Sequence, residues 1–190
     1  MGPIIKGENV YISETAILGH PGKKNKDLLI TGRFNGLRPV KIKDDVLLRD
    51  HTVVYEGVSL GTGVETGHRV LIREDTDIGE HTVVGSGTII EAGCEIGKKV
   101  SIQSSVYLAN GTKVLDDAFL GPMVCLINDK YMDGRIQPCT IGEDARIGAG
   151  STIFPGVSVG KGAVVGADSL VTKDIPNNKK AFGRPAKLRG

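Results

Sequence analysis

The chain has no tryptophan, and aromatic residues make up only 4% of it. A core anchored by large rings is therefore not expected. Cysteine is scarce too. Cys94, Cys125 and Cys139 are an odd set that cannot all pair, and they show no metal-ligand spacing. Neither sign of charge dominates: the net charge is +2, acid and base are interspersed, and no basic run marks a nucleic-acid partner. No stretch is apolar enough to span a bilayer. The opening Met1-Gly2-Pro3-Ile4-Ile5-Lys6-Gly7 does not read as a signal peptide. These absences lead us to expect a reduced, cytoplasmic protein with no membrane or nucleic-acid partner. What the chain does have is glycine, 27 residues in 190, set among small and β-branched residues, a composition suited to a single elongated domain over residues 1–190.

A repeat runs through it. Stepping by six from Ile30 gives Ile30, Gly36, Ile42, Leu48, Val54, Leu60, Thr66, Ile72, Ile78, Val84, Ile90, Ile96, Ile102, Leu108, Val114, Leu120 and Leu126, of which only Gly36 and Thr66 are not aliphatic. Four residues after each comes a second inward series, from Phe34 and Val40 through Thr82, Thr88 and Cys94 to Val124, nearly all small or β-branched. The rhythm resumes at Ile141, Ile147, Ile153, Val159, Val165 and Val171, and Ile12 and Leu18 begin it. A period of six fits neither a helix nor an ordinary amphipathic strand. It fits short strands joined by turns, three to a triangular coil of about eighteen residues, with coils about 4.8 Å apart. The fold class expected is all-β, a single-stranded parallel β-helix whose aliphatic ladder buries a core that no single coil could bury alone. Gly79, Gly97, Gly121, Gly142, Gly148, Gly160 and Gly166 are expected to supply permissive turn backbone.

Two segments break phase. Residues 19–29 are polar and read as a loop, and residues 127–140, containing Asn128-Asp129-Lys130-Tyr131-Met132-Asp133-Gly134-Arg135, read as a looped-out insertion. Residues 173–190 are expected to cap the end of the solenoid. Positions eighteen apart should stack. One outward column reads Asn35, Val53, Leu71, Ile89, Tyr107, Cys125, an apolar stripe of the kind that marks an interaction site. The next two read Lys41, Ser59, Asp77, Glu95, Lys113 and Leu47, Glu65, Val83, Ser101, Phe119. A polar corner column holds Arg38, Glu56, Glu74, Ala92, Asn110 and Asn128, and another, beside the stripe, holds Asp50, His68, Ser86 and Ser104. Self-association is expected along Val53, Leu71, Ile89 and Tyr107.

The repeat resembles the hexapeptide-repeat acyltransferases, whose β-helix is left-handed. Within them the chain is most similar to nucleotide-sugar N-acetyltransferases and sugar O-acetyltransferases. The segments that carry this are Thr66-Gly67-His68-Arg69-Val70-Leu71-Ile72-Arg73-Glu74; Lys99 to Tyr107 with Phe119-Leu120-Gly121-Pro122 and Asn128-Asp129-Lys130-Tyr131; and the ending from Ile141-Gly142 to Gly183-Arg184-Pro185-Ala186. The resemblance implies acetyl-CoA as co-substrate, a sugar acceptor and a homotrimer. It implies that Gly148, Ala149, Gly166 and Ala167 line the pantetheine arm and that Lys173 and Arg184 meet its adenine and phosphate end. Gln103, Ser104, Asn110 and Tyr131 would face the acceptor, Asn128 and Asp129 would join it at the reacting centre, and His68 would be the base. Sugar O-acetyltransferases often carry His-Pro where this chain reads Lys130-Tyr131-Met132, so their mechanism does not transfer directly. A metal-dependent relative of the same fold would need two His about one hexad apart, and His20, His51, His68 and His81 supply no such pair; no metal is expected. The resemblance implies acetylation of an amino group of a nucleotide-linked sugar; O-acetylation of a sugar or antibiotic, and a non-catalytic β-helix scaffold, are the alternatives.

Overall fold

A computed structural model describes residues 1–189; Gly190, the last residue of the expected cap, lies outside them. The chain winds into a left-handed parallel β-helix with three faces. The first face stacks eight strands from Ile4–Lys6 to Ser158–Val159, among the described residues. The second stacks ten, from Tyr11–Ile12 through Val164–Val165 to Lys180–Phe182 and Lys187–Arg189, and the third stacks eight, from Ile17–His20 to Leu170–Val171. Every pair of neighbouring strands is parallel except the terminal hairpin of Lys180–Phe182 with Lys187–Arg189. That hairpin extends the second face past the last full coil and covers it, as the cap was expected to do.

The ladder from Ile42 to Val171 is buried. Its polar members are satisfied within the coil backbone: Thr82 donates to the Gly97 carbonyl at 2.8 Å and accepts the Val100 N–H at 3.0 Å. Thr66, the exception among the aliphatics, accepts the Arg49 N–H at 3.2 Å. A buried hydroxyl costs little when both its roles are filled.

Three expectations need correction. The ladder does not begin at Ile30. Residues Lys26–Thr31 form a short helix, α1, and Ile30 is 84% exposed, so Ile30, Phe34 and Gly36 are off the inward series and Asn35 off the apolar column. Ile17 takes Asn35's place, paired with Val53. The first loop accordingly leaves after His20 rather than at Gly19, and the chain rejoins the coil at Val40. Period alone could not distinguish a helical excursion that happens to preserve the count. Third, the seven turn glycines do not have left-handed backbone. They answer to close approach between coils: a Cβ on Gly148 would lie 2.4 Å from the Ala167 nitrogen, and one on Gly121 2.7 Å from the Ala149 nitrogen. The left-handed positions come two residues later, at Gly150 and Met123 for instance.

Candidate active site on two edges of the apolar face

The third face carries the apolar stripe. Ile17, Val53, Leu71, Ile89, Tyr107 and Cys125 stack in register, followed by Thr152 and Leu170. Ile17 and Ile89 are 39% and 37% exposed, and the others are half-buried by their neighbours along the stripe. The face has a leading edge, where the chain arrives from the second face, and a trailing edge, where it leaves for the first. The expected site residues lie on these two edges.

The leading edge holds Asp50, His68, Ser86, Ser104, Pro122, Ala149 and Ala167 in one column. Backbone hydrogen bonds tie it together, from Gly87 N to His68 O (2.9 Å) and Met123 N to Ser104 O (3.0 Å) to Gly150 N to Pro122 O and Asp168 N to Ala149 O (both 2.8 Å). At its upper end an open groove of about 590 Å³ is lined by Asp50, His51, His68, Arg69, Ser86 and Ser104. His68 Nδ1 is 3.7 Å from Asp50 Oδ2, and the His68 N–H donates to Ser86 Oγ at 3.0 Å. Both side chains are half-exposed, so the pair is open to a substrate and screened by solvent. Gln103 donates to Ser101 Oγ at 3.0 Å beside the same column. His51 and His81 occupy left-handed positions of exposed turns.

The lower end has a different surface. Across the molecule, the free N–H of a turn residue is commonly capped by the side chain one coil further on: His68 by Ser86, Lys98 by Asp116 at 2.8 Å, Lys161 by Asn177 at 3.0 Å. One coil past Ala149 stands Ala167, which has no acceptor to offer. With Gly148 and Gly166 beside them, the two alanines leave a strip of bare backbone in which neither the Ala149 nor the Ala167 N–H has a hydrogen-bond partner among the described residues. Arg184 stands next to this strip, its guanidinium donating to Asp168 Oδ1 at 2.7 Å. Lys173 does not join Arg184: it follows Leu170–Val171 at the trailing edge.

The trailing edge is irregular. Both chain excursions leave from it, residues 21–37 between Ile17–His20 and Val40–Ile42, and the insertion between Cys125–Leu126 and Thr140–Ile141. The buried Glu56 clasps the first. It accepts the Gly22 N–H at 2.9 Å, Asn25 Nδ2 at 2.6 Å and the Arg38 N–H at 3.1 Å, with Arg38 Nε 3.6 Å away. Burial pushes the Glu56 carboxyl up, but the Asn25, Gly22 and Arg38 hydrogen bonds outweigh it and the pKa ends below its ordinary 4.5. Glu74 receives the Lys23 N–H at 3.0 Å and the Arg73 Nε at 2.8 Å. Asp129 closes the insertion on itself. Its carboxylate accepts the N–H groups of Tyr131, Asp133 and Gly134 at 3.2, 3.3 and 2.7 Å. Asn128 Nδ2 donates to the Asn110 carbonyl at 3.1 Å, one coil away as expected. Tyr131 is exposed, with the Arg135 guanidinium 4.8 Å and the Lys130 ammonium 5.3 Å from its ring centre.

The structure thus gathers His68, Gln103, Ser104, Gly148, Ala149, Gly166, Ala167 and Arg184 on the leading edge. It places Asn110, Asn128, Asp129, Tyr131 and Lys173 on the trailing edge, with the apolar stripe between. Three features went unread in the sequence. Asp50 as the partner of His68 was signalled by its place eighteen residues earlier. The uncapped alanines were signalled by the missing acceptor in the next coil. The Glu56 clasp had no local signal. Burial pushes the thiols of Cys94 and Cys139 up to about 12, which keeps these two protonated at neutral pH. Among the described residues no group of three or more His, Cys, Asp or Glu is placed to hold a metal ion, and no helix is long and apolar enough to cross a membrane.

The fold defines a class, the left-handed β-helix of hexapeptide repeats. The family described as Hexapeptide repeat of succinyl-transferase matches residues 76–109 and 138–173. YJL218W of Saccharomyces cerevisiae, whose name assigns it to the acetyltransferases, is 35% identical over 95 residues, which are 44% of this chain and 48% of that one. The galactoside O-acetyltransferase of Lactococcus lactis is 53% identical over 49 residues, 26% of this chain and 24% of the other. The chain thus spans about half or less of the length of these curated relatives. The UDP-N-acetylglucosamine acyltransferase of Campylobacter jejuni shares the fold, with a TM-score of 0.56 at 18% identity over 94% of this chain and 74% of that one.

Proposed function

We propose that the chain is an acetyl-CoA-dependent acetyltransferase acting on the amino group of a nucleotide-linked sugar. The observation that carries this reading is the leading edge, with an open His–Asp pair at one end and a strip of uncapped backbone at the other. Four coils separate His68 from Ala149, about 19 Å at about 4.8 Å per coil. Only an elongated co-substrate reaches from one to the other. The bare N–H groups of Ala149 and Ala167 suit the amide carbonyls of a pantetheine arm, and Gly148 and Gly166 let that arm lie close. Arg184 suits the phosphate end, and the reading has no use for Lys173 beside it.

In the reaction the acceptor nitrogen attacks the thioester carbonyl carbon, the C–N bond forms, the C–S bond breaks and the sulfur leaves as a thiolate, which is then protonated from the imidazolium of His68. His68 takes the proton released by the amine, and Asp50 favours the imidazolium that results. Gln103 and Ser104 border this groove on the acceptor side. Asn110, Asn128 and Tyr131 lie on the opposite edge of the same face, so they reach the groove only from a second copy. A homotrimer closed on the stripe of Val53, Leu71, Ile89 and Tyr107 would set the trailing edge of one copy beside the leading edge of the next. In this reading Asp129 shapes the acceptor loop and does not carry protons, since its carboxylate already holds three N–H groups.

O-acetylation of a sugar is the second reading, favoured by the identity to the galactoside O-acetyltransferase over 49 residues. One assay separates the two: thiol release from acetyl-CoA against nucleotide-linked 3- and 4-amino sugars and simple galactosides. Release with an amino sugar supports the first reading, and release with a galactoside alone supports the second. Silence across the panel, with no CoA binding by calorimetry, removes both and leaves the scaffold.

A further inference from the structure

Three links in the chain join an Asn or Asp to a glycine: Asn35-Gly36 in the first excursion, Asn110-Gly111 at the polar corner and Asp133-Gly134 in the insertion. Asn35, Asn110 and Asp133 are all exposed, and Gly36, Gly111 and Gly134 all have left-handed backbone, with φ of 81°, 73° and 86°. In sequence, exposure and turn geometry the three links are alike. They differ in what holds the glycine N–H. The Gly111 N–H donates to the Ala92 carbonyl at 3.0 Å, and a Cβ on Gly111 would meet the Pro138 side chain at 2.9 Å. The Gly134 N–H donates to Asp129 Oδ2 at 2.7 Å. The Gly36 N–H has no main-chain partner among the described residues, and a Cβ on Gly36 would have nothing within 4 Å.

That N–H decides the chemistry of an Asn-Gly link. The main-chain nitrogen of the glycine, having lost its proton, attacks the carbonyl carbon of the Asn side chain. The new C–N bond closes a succinimide ring, and the side-chain nitrogen leaves as ammonia. Water then opens the ring at either carbonyl, giving Asp or isoaspartate. Glycine favours the attack because it has no side chain to obstruct it. A nitrogen already bound to another coil must first open, as it must for hydrogen exchange. We propose that Asn35 is a site of spontaneous deamidation by water in the folded protein, whereas the coil protects Asn110. The change puts a carboxylate between α1 and the Glu56 clasp. Its isoaspartate form also adds a carbon to the main chain just before the buried Leu37 and the Arg38 N–H that Glu56 holds at 3.1 Å. The first excursion is then the segment that ages first.

The full chain is incubated at mildly alkaline pH, sampled over days, digested with trypsin and read by chromatography and mass spectrometry. Trypsin spares the Arg38-Pro39 link, so Asn35 falls in the peptide 34–41 and Asn110 in the peptide 100–113. Conversion in the folded chain should be about tenfold or more faster at Asn35 than at Asn110, with isoaspartate among the products. In guanidinium chloride, where no coil holds either N–H, the two rates should come within about twofold of each other. No conversion at Asn35, equal rates in the folded chain, or products without isoaspartate would each overturn the proposal. So would a rate ratio that persists in guanidinium chloride, because it would assign the difference to sequence neighbours and not to the fold.

Discussion

The two edges of the apolar face are made from the same coils and could hardly differ more. The leading edge repeats without interruption from Asp50 to Ala167, each turn bonded to the one before. The trailing edge is broken twice by excursions and organised by Glu56, Glu74 and Asp129, each gathering N–H groups that are out of phase with the repeat. The regular edge has little relief, so it suits an extended, chemically repetitive arm and one proton carrier. The irregular edge has walls and charged side chains of both signs, so it suits selectivity.

The sharpest way to break this comparison is to keep the edges of neighbouring copies apart. Tyr107→Glu places a charge in the middle of the stripe and should convert the proposed trimer to single chains in light scattering, with turnover lost altogether; unchanged mass would exclude the stripe as the interface. Next in size, His68→Ala should lower kcat by about 100-fold or more, the contribution of a general base. The acetyl-CoA KM should barely move, since the base lies about four coils from the bare strip, and equal kcat would remove His68 from the chemistry.

Glu56→Gln tests the other edge. It replaces a carboxylate facing several donors with an amide, and should destabilise by about 2 kcal/mol in urea melts, with earlier proteolysis inside residues 23–37. Because the folded Glu56 pKa is depressed, its contribution is full above the ordinary 4.5 and is lost as pH falls through the folded value. The gap between parent and variant should therefore close in acid; a constant gap would mean that the clasp does not depend on the charge. The smallest effect is expected from Ala167→Ser, which gives Ala149 the cap that Ser86 gives His68. It should raise the acetyl-CoA KM a few-fold at unchanged kcat, and an unaltered KM would show that the Ala149 N–H is not a co-substrate contact.

Much of the fold was legible in the residues. The ladder from Ile42 to Val171, the outward columns and the stacking of Asp50 under His68 follow from counting by six and eighteen. The count failed where Ile30 and Gly36 kept its phase by coincidence inside an excursion that is partly helical. The candidate site was legible by half. His68, Ser104, Ala149 and Ala167 are periodic and came out on one edge, while Lys173 and Arg184, assigned to one task, lie on different edges.

By itself, the sequence determined which residues face inward and which corner each turn residue occupies. Those follow from a six-residue rule acting on neighbours in the chain. Only the tertiary structure decided that both excursions leave from one edge, that Glu56 is clasped by residues 22, 25 and 38, and that Lys23 and Lys24 line a cavity with Glu56, Glu74 and Asp75. Those contacts join segments with no period in common. Their geometry is set by which hydrogen-bond donors a buried carboxylate can gather once the coils have stacked.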